Sequence, residues 1–133
     1  MFQSPEGWVK IPTTKDAAKF LGQNTRWCTA AGSNNMFDSY NSRDRLFVIY
    51  DKASKKRYQL HINDGQFANE ADKNQGVDKV PLWCRQAIVD YYKKTNEQLT
   101  FKQIMNLNRF TDENLGAGTD HEDILALMKQ YGV

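Results

Sequence analysis

Between Leu46 and Ile62 the apolar positions follow a strand period. Leu46-Phe47-Val48-Ile49-Tyr50 is β-branched, aromatic and apolar on both faces, which predicts a central strand. A charged turn from Asp51 to Lys56 follows, and Arg57 to Ile62 returns with clean alternation. Tyr58, Leu60 and Ile62 fall on one face, and Arg57, Gln59 and His61 on the other. So short a connection predicts an antiparallel hairpin over about residues 45–63. Asn63-Asp64-Gly65 turns the chain again, and Gln66-Phe67-Ala68 predicts a third short strand. Asn69 to Gly76 is polar loop.

On either side of this sheet the period changes. Pro5-Glu6-Gly7 signals a turn, and Trp8-Val9-Lys10-Ile11 predicts a short strand ended by Pro12. Thr13 or Thr14 can cap a helix whose apolar side is Ala17, Ala18, Phe20 and Leu21, with Asp16 in its first turn. Gly22 is expected just past its end, in the left-handed conformation. The Gly/Ser/Asn-rich stretch 31–41 reads as a loop with a short helix or turn that presents Phe37 and Tyr40 together. After Pro81, Leu82, Trp83, Ala87, Ile88, Tyr91 and Tyr92 predict a helix to about Lys94. Thr100 with Gln103, and Thr119 with Glu122, resemble capping boxes that open two more helices. The first is broken at Leu115–Gly118, and Gly132 closes the second. The fold class is therefore α+β: a small antiparallel sheet packed with an N-terminal helix and C-terminal helices.

Length and composition refine this picture only slightly. The 133 residues suit a single domain, with helix plus sheet at about 8–73 and a helical part at about 79–133. Apolar residues make up 40% and aromatics 12%, enough for a core without metal or disulfide. No apolar run approaches the roughly 20 residues that span a bilayer. The first residues lack the basic and apolar regions of a secretion signal, and their abrupt start suits a piece of a longer protein. Cys28 and Cys84 lie far apart and outside any C-x-x-C pair, so both read as reduced thiols in a cytosolic setting. The net charge of +2 argues for no partner by itself. Its distribution is uneven: residues 1–57 hold ten Lys/Arg against five Asp/Glu, and residues 58–133 eight against eleven. That points to a basic face on the N-terminal half.

The segment Gly22-Gln23-Asn24-Thr25-Arg26-Trp27-Cys28-Thr29-Ala30 concentrates polar, aromatic and thiol chemistry. Cys28 is the candidate nucleophile, with His61 as its base and Asp64, Glu70 or Asp72 as the orienting acid. A cysteine beside a tryptophan is more commonly packed than reactive, so Cys28 and His61 stay weak catalytic candidates. Arg57, Gln59 and His61 form either the solvent face of a half-buried hairpin or, if Asn24–Cys28 packs over them, a site for an anion or amide-rich ligand. The candidate binding residues are Asn24, Thr25, Arg26, Trp27, Tyr40, Arg57, Gln59 and His61. Nucleic acid would draw on Lys10, Lys15, Lys19, Arg26, Arg43, Arg45, Lys52, Lys55, Lys56 and Arg57, with Trp27, Phe37 or Tyr40 for stacking. No cofactor or metal is expected: His61, Asp64, Glu70 and Asp72 lack ligand spacing, His121 is expected to be exposed, and Gly116 and Gly118 lack the features of a phosphate loop.

Thr13 to Ile49 resembles an uncharacterised domain of tailed-phage and other viral proteins. Its pattern is a Thr-led helix, G-x-x-T-x-W-C-x-A, then N-x-F-x-x-Y and a hydrophobic strand. Gly22, Thr25, Trp27, Cys28, Ala30, Asn35, Phe37, Tyr40 and Leu46–Tyr50 match it here. Gln59, His61, Gln66, Phe67, Glu70 and Asp72 extend the likeness, which covers about residues 8–73. The resemblance implies a viral origin and a compact α+β module, and brings no activity. The leading expectation is a non-enzymatic binding module acting in the host cytoplasm on a host protein or nucleic acid. The alternatives are an enzyme that uses Cys28 and His61 or acts on a nucleotide, and a structural module of a larger viral protein.

Overall fold

Strand pairing organises the N-terminal half of the molecule. The computed structural model describes residues 1–95, 97–112 and 117–132. Strands β1 (Phe2–Ser4), β2 (Gly7–Lys10), β3 (Phe47–Asp51), β4 (Lys56–His61) and β5 (Gln66–Ala68) form one sheet in that order. Every neighbouring pair is antiparallel. The hairpin β3–β4 pairs Phe47 with Leu60 and Ile49 with Tyr58, the register that the alternation of β4 requires. Helices α1 (Lys15–Leu21) and α2 (Phe37–Arg43) fill the long connection from β2 to β3. Helices α3 (Leu82–Lys94), α4 (Phe101–Asn108) and α5 (His121–Gln130) complete the chain, with a two-stranded pair β6 (Thr111–Asp112) and β7 (Ala117–Gly118) between the last two. The α+β reading holds.

Apolar cores lie on both faces of the sheet, and the second covers only part of its face. Val9, Phe47, Ile49, Leu60, Ile62 and Phe67 point into the main core with Ile88 and Tyr92 of α3, Ile104 and Leu107 of α4, and Ile124 and Leu127 of α5. On the other face Leu46 packs with Ala18 of α1 and Phe37 of α2 in a much smaller core. The molecule is thus three layers thick, with the antiparallel sheet in the middle.

Several local expectations stand and several change. Thr14 caps α1 by accepting from the Ala17 amide at 3.1 Å, and Thr100 and Gln103 form the capping box that opens α4. The final helix is capped by Asp120 rather than Thr119: its carboxylate accepts from the Glu122 amide while Thr119 is buried. His121 is partly buried, not exposed. Of the break expected at Leu115–Gly118, residues 115 and 116 lie outside the described residues. Strand β1 has no periodic signal in its three residues; its register on β2 and the stacking of Phe2 on Trp83 at 6.2 Å make it a strand. Gly7 is needed for close approach, since a Cβ there would sit 1.9 Å from the Tyr50 carbonyl oxygen. Both cysteines are free, and none of the described helices is long and apolar enough to cross a membrane.

Candidate functional site

The chain leaves α1 through a tight elbow. Gly22 has φ −99°, outside the left-handed region expected for it. A side chain is excluded there by packing instead: its Cβ would meet that of Ala30 at 2.6 Å and the Trp27 ring at 3.0 Å. The left-handed residue is Asn24, with φ +67°, a residue type whose short amide tolerates that conformation. Thr25 then donates both its amide (3.0 Å) and its hydroxyl (2.6 Å) to the Gly22 carbonyl. Trp27 is buried, and its indole donates to the Asn69 carbonyl at 2.7 Å. The Arg26 amide donates to the Glu70 carbonyl at 2.9 Å, while its side chain is exposed. Cys28 begins a one-turn 3-10 helix to Ala30.

This elbow and α2 close over the polar face of β4. Gln59 is 5% exposed and His61 0%, so the solvent-face alternative is excluded. Arg57 donates to Glu70 at 3.0 Å, to the Leu21 carbonyl at 2.9 Å and to the Gln23 carbonyl at 2.5 Å, pinning the end of α1 to the sheet. Gln59 accepts from the Thr29 hydroxyl at 2.5 Å. The Nε2 of His61 faces the Tyr40 and Asp44 carbonyls at 3.0 and 3.2 Å, which assigns it the proton. Its Nδ1 lies 3.1 Å from Asp64 but out of hydrogen-bond alignment. The three aligned side chains form a polar seam between two layers.

The thiol chemistry beside this seam is limited. No hydrogen bond joins Cys28 to His61 among the described residues, and both ring nitrogens face other groups. The neighbour of Cys28 is Tyr40, whose hydroxyl is raised above its ordinary value by burial first and then by the thiol. The Tyr40 ring meets His61 edge-on at 5.1 Å, and Arg43 lies over that ring at 4.9 Å. Burial pushes the Asp64 carboxyl up, but the Arg43 guanidinium, hydrogen-bonded at 2.8 Å, and its other neighbours outweigh it and hold the group below the usual range. This set fixes α2 to the β4–β5 turn. Among the described residues no group of three or more His, Cys, Asp or Glu is gathered as a metal would need.

Two features were not visible in the sequence. Asp44, at the C-terminal end of α2, is 4% exposed and accepts from the Tyr92 hydroxyl on both oxygens (3.0 and 2.9 Å), the Arg45 amide (2.8 Å) and the Asn63 amide (3.0 Å). Its donors come from three separate parts of the chain, so no local motif marks it. The second feature is the half of the sheet face that α1 and α2 leave uncovered. There Gln3, Trp8, Tyr50 and Arg57 form one cross-strand row. Trp8 and Tyr50 stack at 5.7 Å, and the Lys10 ammonium sits 4.6 Å from the Trp8 ring centre. Trp8 and Tyr50 belong to neither core and are half-buried, while Gln3 and Lys10 are exposed.

Asn24 and Arg26 are exposed near the end of α1 that Arg57 pins, whereas Trp27, Gln59 and His61 are buried, with Thr25 and Tyr40 between these extremes. A separate polar cleft of about 390 Å³ is lined by Thr13, Arg43, Arg45, Tyr91 and Glu97 among others, and Arg45 pairs with Glu97 across it. No protein-family model, no curated protein and no solved structure matches the chain.

Proposed function

We propose that this chain is a non-enzymatic binding module of viral, phage-type origin that works in the host cytoplasm on a host protein or nucleic acid. One observation carries the reading: a single sheet face is divided between a closed polar seam and an open aromatic half. Reactive-looking side chains such as His61 are committed to holding layers together, so they are poorly placed for turnover. The open half offers two stacked rings and a cation on a rigid scaffold, which suits recognition. Of the residues singled out by sequence, Asn24 and Arg26 are the ones whose side chains a partner can reach freely, with Arg57 at the border. Tyr40, Thr25, Trp27, Gln59 and His61 then shape the site from beneath. The viral origin is supported by the motif resemblance.

The test is affinity capture from host lysate, followed by cross-linking and mass spectrometry. Trp8→Ala/Lys10→Glu and Arg26→Glu variants are compared with the parent chain, and Cys28→Ser serves as the chemistry control. Loss of cross-linked partners with the first two, and retention with Cys28→Ser, is the expected result. Identical capture by every variant would refute the proposed surface.

A further inference from the structure

Resting on that surface, we infer that its partner is single-stranded nucleic acid, with bases stacking on Trp8 and Tyr50 and phosphates held by surrounding lysines. Three observations converge. First, the aromatic pair stands on a sheet, with the rings 5.7 Å apart on adjacent strands. Bases have apolar faces that stack on such rings regardless of sequence, and only unpaired bases can present those faces. A duplex keeps its bases inside.

Second, the cations lie where a backbone crossing the rings would run. Lys10 flanks Trp8 on one side. On the other, Lys52 and Lys55 belong to the β3–β4 turn, within a few residues of Tyr50 and Arg57. These three lysines are exposed, and none forms an ion pair among the described residues. Strand spacing near 4.8 Å puts β2 and β4 about 10 Å apart, so a short single strand spans both sets.

Third, the acids that face this surface are few. Glu6 at the β1–β2 turn accepts from the Ser4 hydroxyl at 2.7 Å, and Glu70 is held by Arg57. Arg57 itself is spent on Glu70 and two carbonyls, so the lysines carry the phosphate contacts. An acidic protein would also suit the lysines, but it would leave the stacked rings without matching planar groups.

Fluorescence anisotropy of a labelled oligothymidylate of about 12 nucleotides, titrated with the whole chain, tests this. Binding should be saturable and should weaken steeply as salt rises from about 50 to 200 mM. Trp8→Ala should weaken it roughly 5- to 150-fold, the range for loss of one stacked base. Joint Lys52→Ala/Lys55→Ala should lower the log–log salt slope by about 1.4, at about 0.7 per lost contact. Lys10→Glu reads the same surface without removing a ring, should Trp8→Ala fail to fold by its thermal transition. No saturable binding by the parent chain, unchanged affinity in Trp8→Ala and Lys10→Glu, or equal affinity for a duplex of the same length would each overturn the inference. If the oligonucleotide fails while cross-linked host proteins are still lost with Trp8→Ala/Lys10→Glu, the partner class is wrong and the surface stands. If neither assay responds to these changes, both fall.

Discussion

Replacing Asp44 by alanine should be among the most damaging single changes outside the apolar core. The carboxylate ties α2 to the start of β3 through the Arg45 amide, to the β4–β5 turn through the Asn63 amide, and to α3 through the Tyr92 hydroxyl. Its removal leaves the Tyr92 hydroxyl in a fully buried position without an acceptor. A buried polar group left unpaired costs about 1–3 kcal/mol. The two amides belong to half-buried residues that water can reach in part, so each adds roughly 0.5–1 kcal/mol. The sum is about 2–5 kcal/mol, a large share of the roughly 5–15 kcal/mol that stabilises a domain. Urea unfolding of Asp44→Ala, Tyr92→Phe and the double variant measures this directly. Tyr92→Phe alone should cost about 1–2 kcal/mol, because the carboxylate keeps its amide donors. In the Asp44→Ala background the same change should instead recover about 1–3 kcal/mol, since it removes the hydroxyl left without an acceptor. A loss below about 1 kcal/mol for Asp44→Ala, or strict additivity of the two changes, would refute the reasoning.

Other outcomes follow from the same contacts. Gly22→Ala should destabilise by about 1–3 kcal/mol through its clash with Ala30, and Ala30→Gly should restore much of the loss; a left-handed requirement at Gly22 would show no such rescue in thermal unfolding. Thr29→Val should cost about 1–3 kcal/mol in urea by leaving the buried Gln59 side chain without its donor. A thiol reagent at mild alkaline pH should titrate the partly exposed Cys28 and spare Cys84 until denaturant is added, because Cys84 is buried and its thiol is pushed up to about 12. Cys84 and Tyr92 both hold their protons more tightly when folded than when unfolded. Their stabilising contribution is therefore complete below about pH 8.5, the ordinary thiol value, and is lost as pH rises toward 12. Unfolding free energies measured across that window should fall steadily.

Much of the fold was legible because its signals are local. The alternation in Arg57–Ile62, the apolar spacing after Pro81 and the Thr100–Gln103 box each act within a few residues, and each element formed where its pattern lay. The elbow was legible in place but not in mechanism. Glycine at position 22 suggested a left-handed backbone, whereas the constraint is a side-chain contact with Ala30, and Asn24 takes the unusual dihedral. The seam was half legible: Arg57, Gln59 and His61 were correctly placed on one face, but only the long excursion through α1 and α2 decides what lies over them. The Trp8–Tyr50 pair was invisible because its register joins strands some 40 residues apart, set by the docking of β2 on β3. Asp44 was silent for the same reason, with the Asn63 amide and the Tyr92 hydroxyl donating to it from remote segments.

Hydroxyl-radical footprinting read by mass spectrometry tests most directly whether the sheet face is split between a sealed seam and an open aromatic half. In the free chain Trp8 and Tyr50 should oxidise readily, while Trp27 and His61 stay protected, and added oligothymidylate should protect Trp8 and Tyr50 selectively. Oxidation of Trp27 and His61 as fast as Trp8, or no change at Trp8 and Tyr50 on adding saturating oligonucleotide, would contradict it.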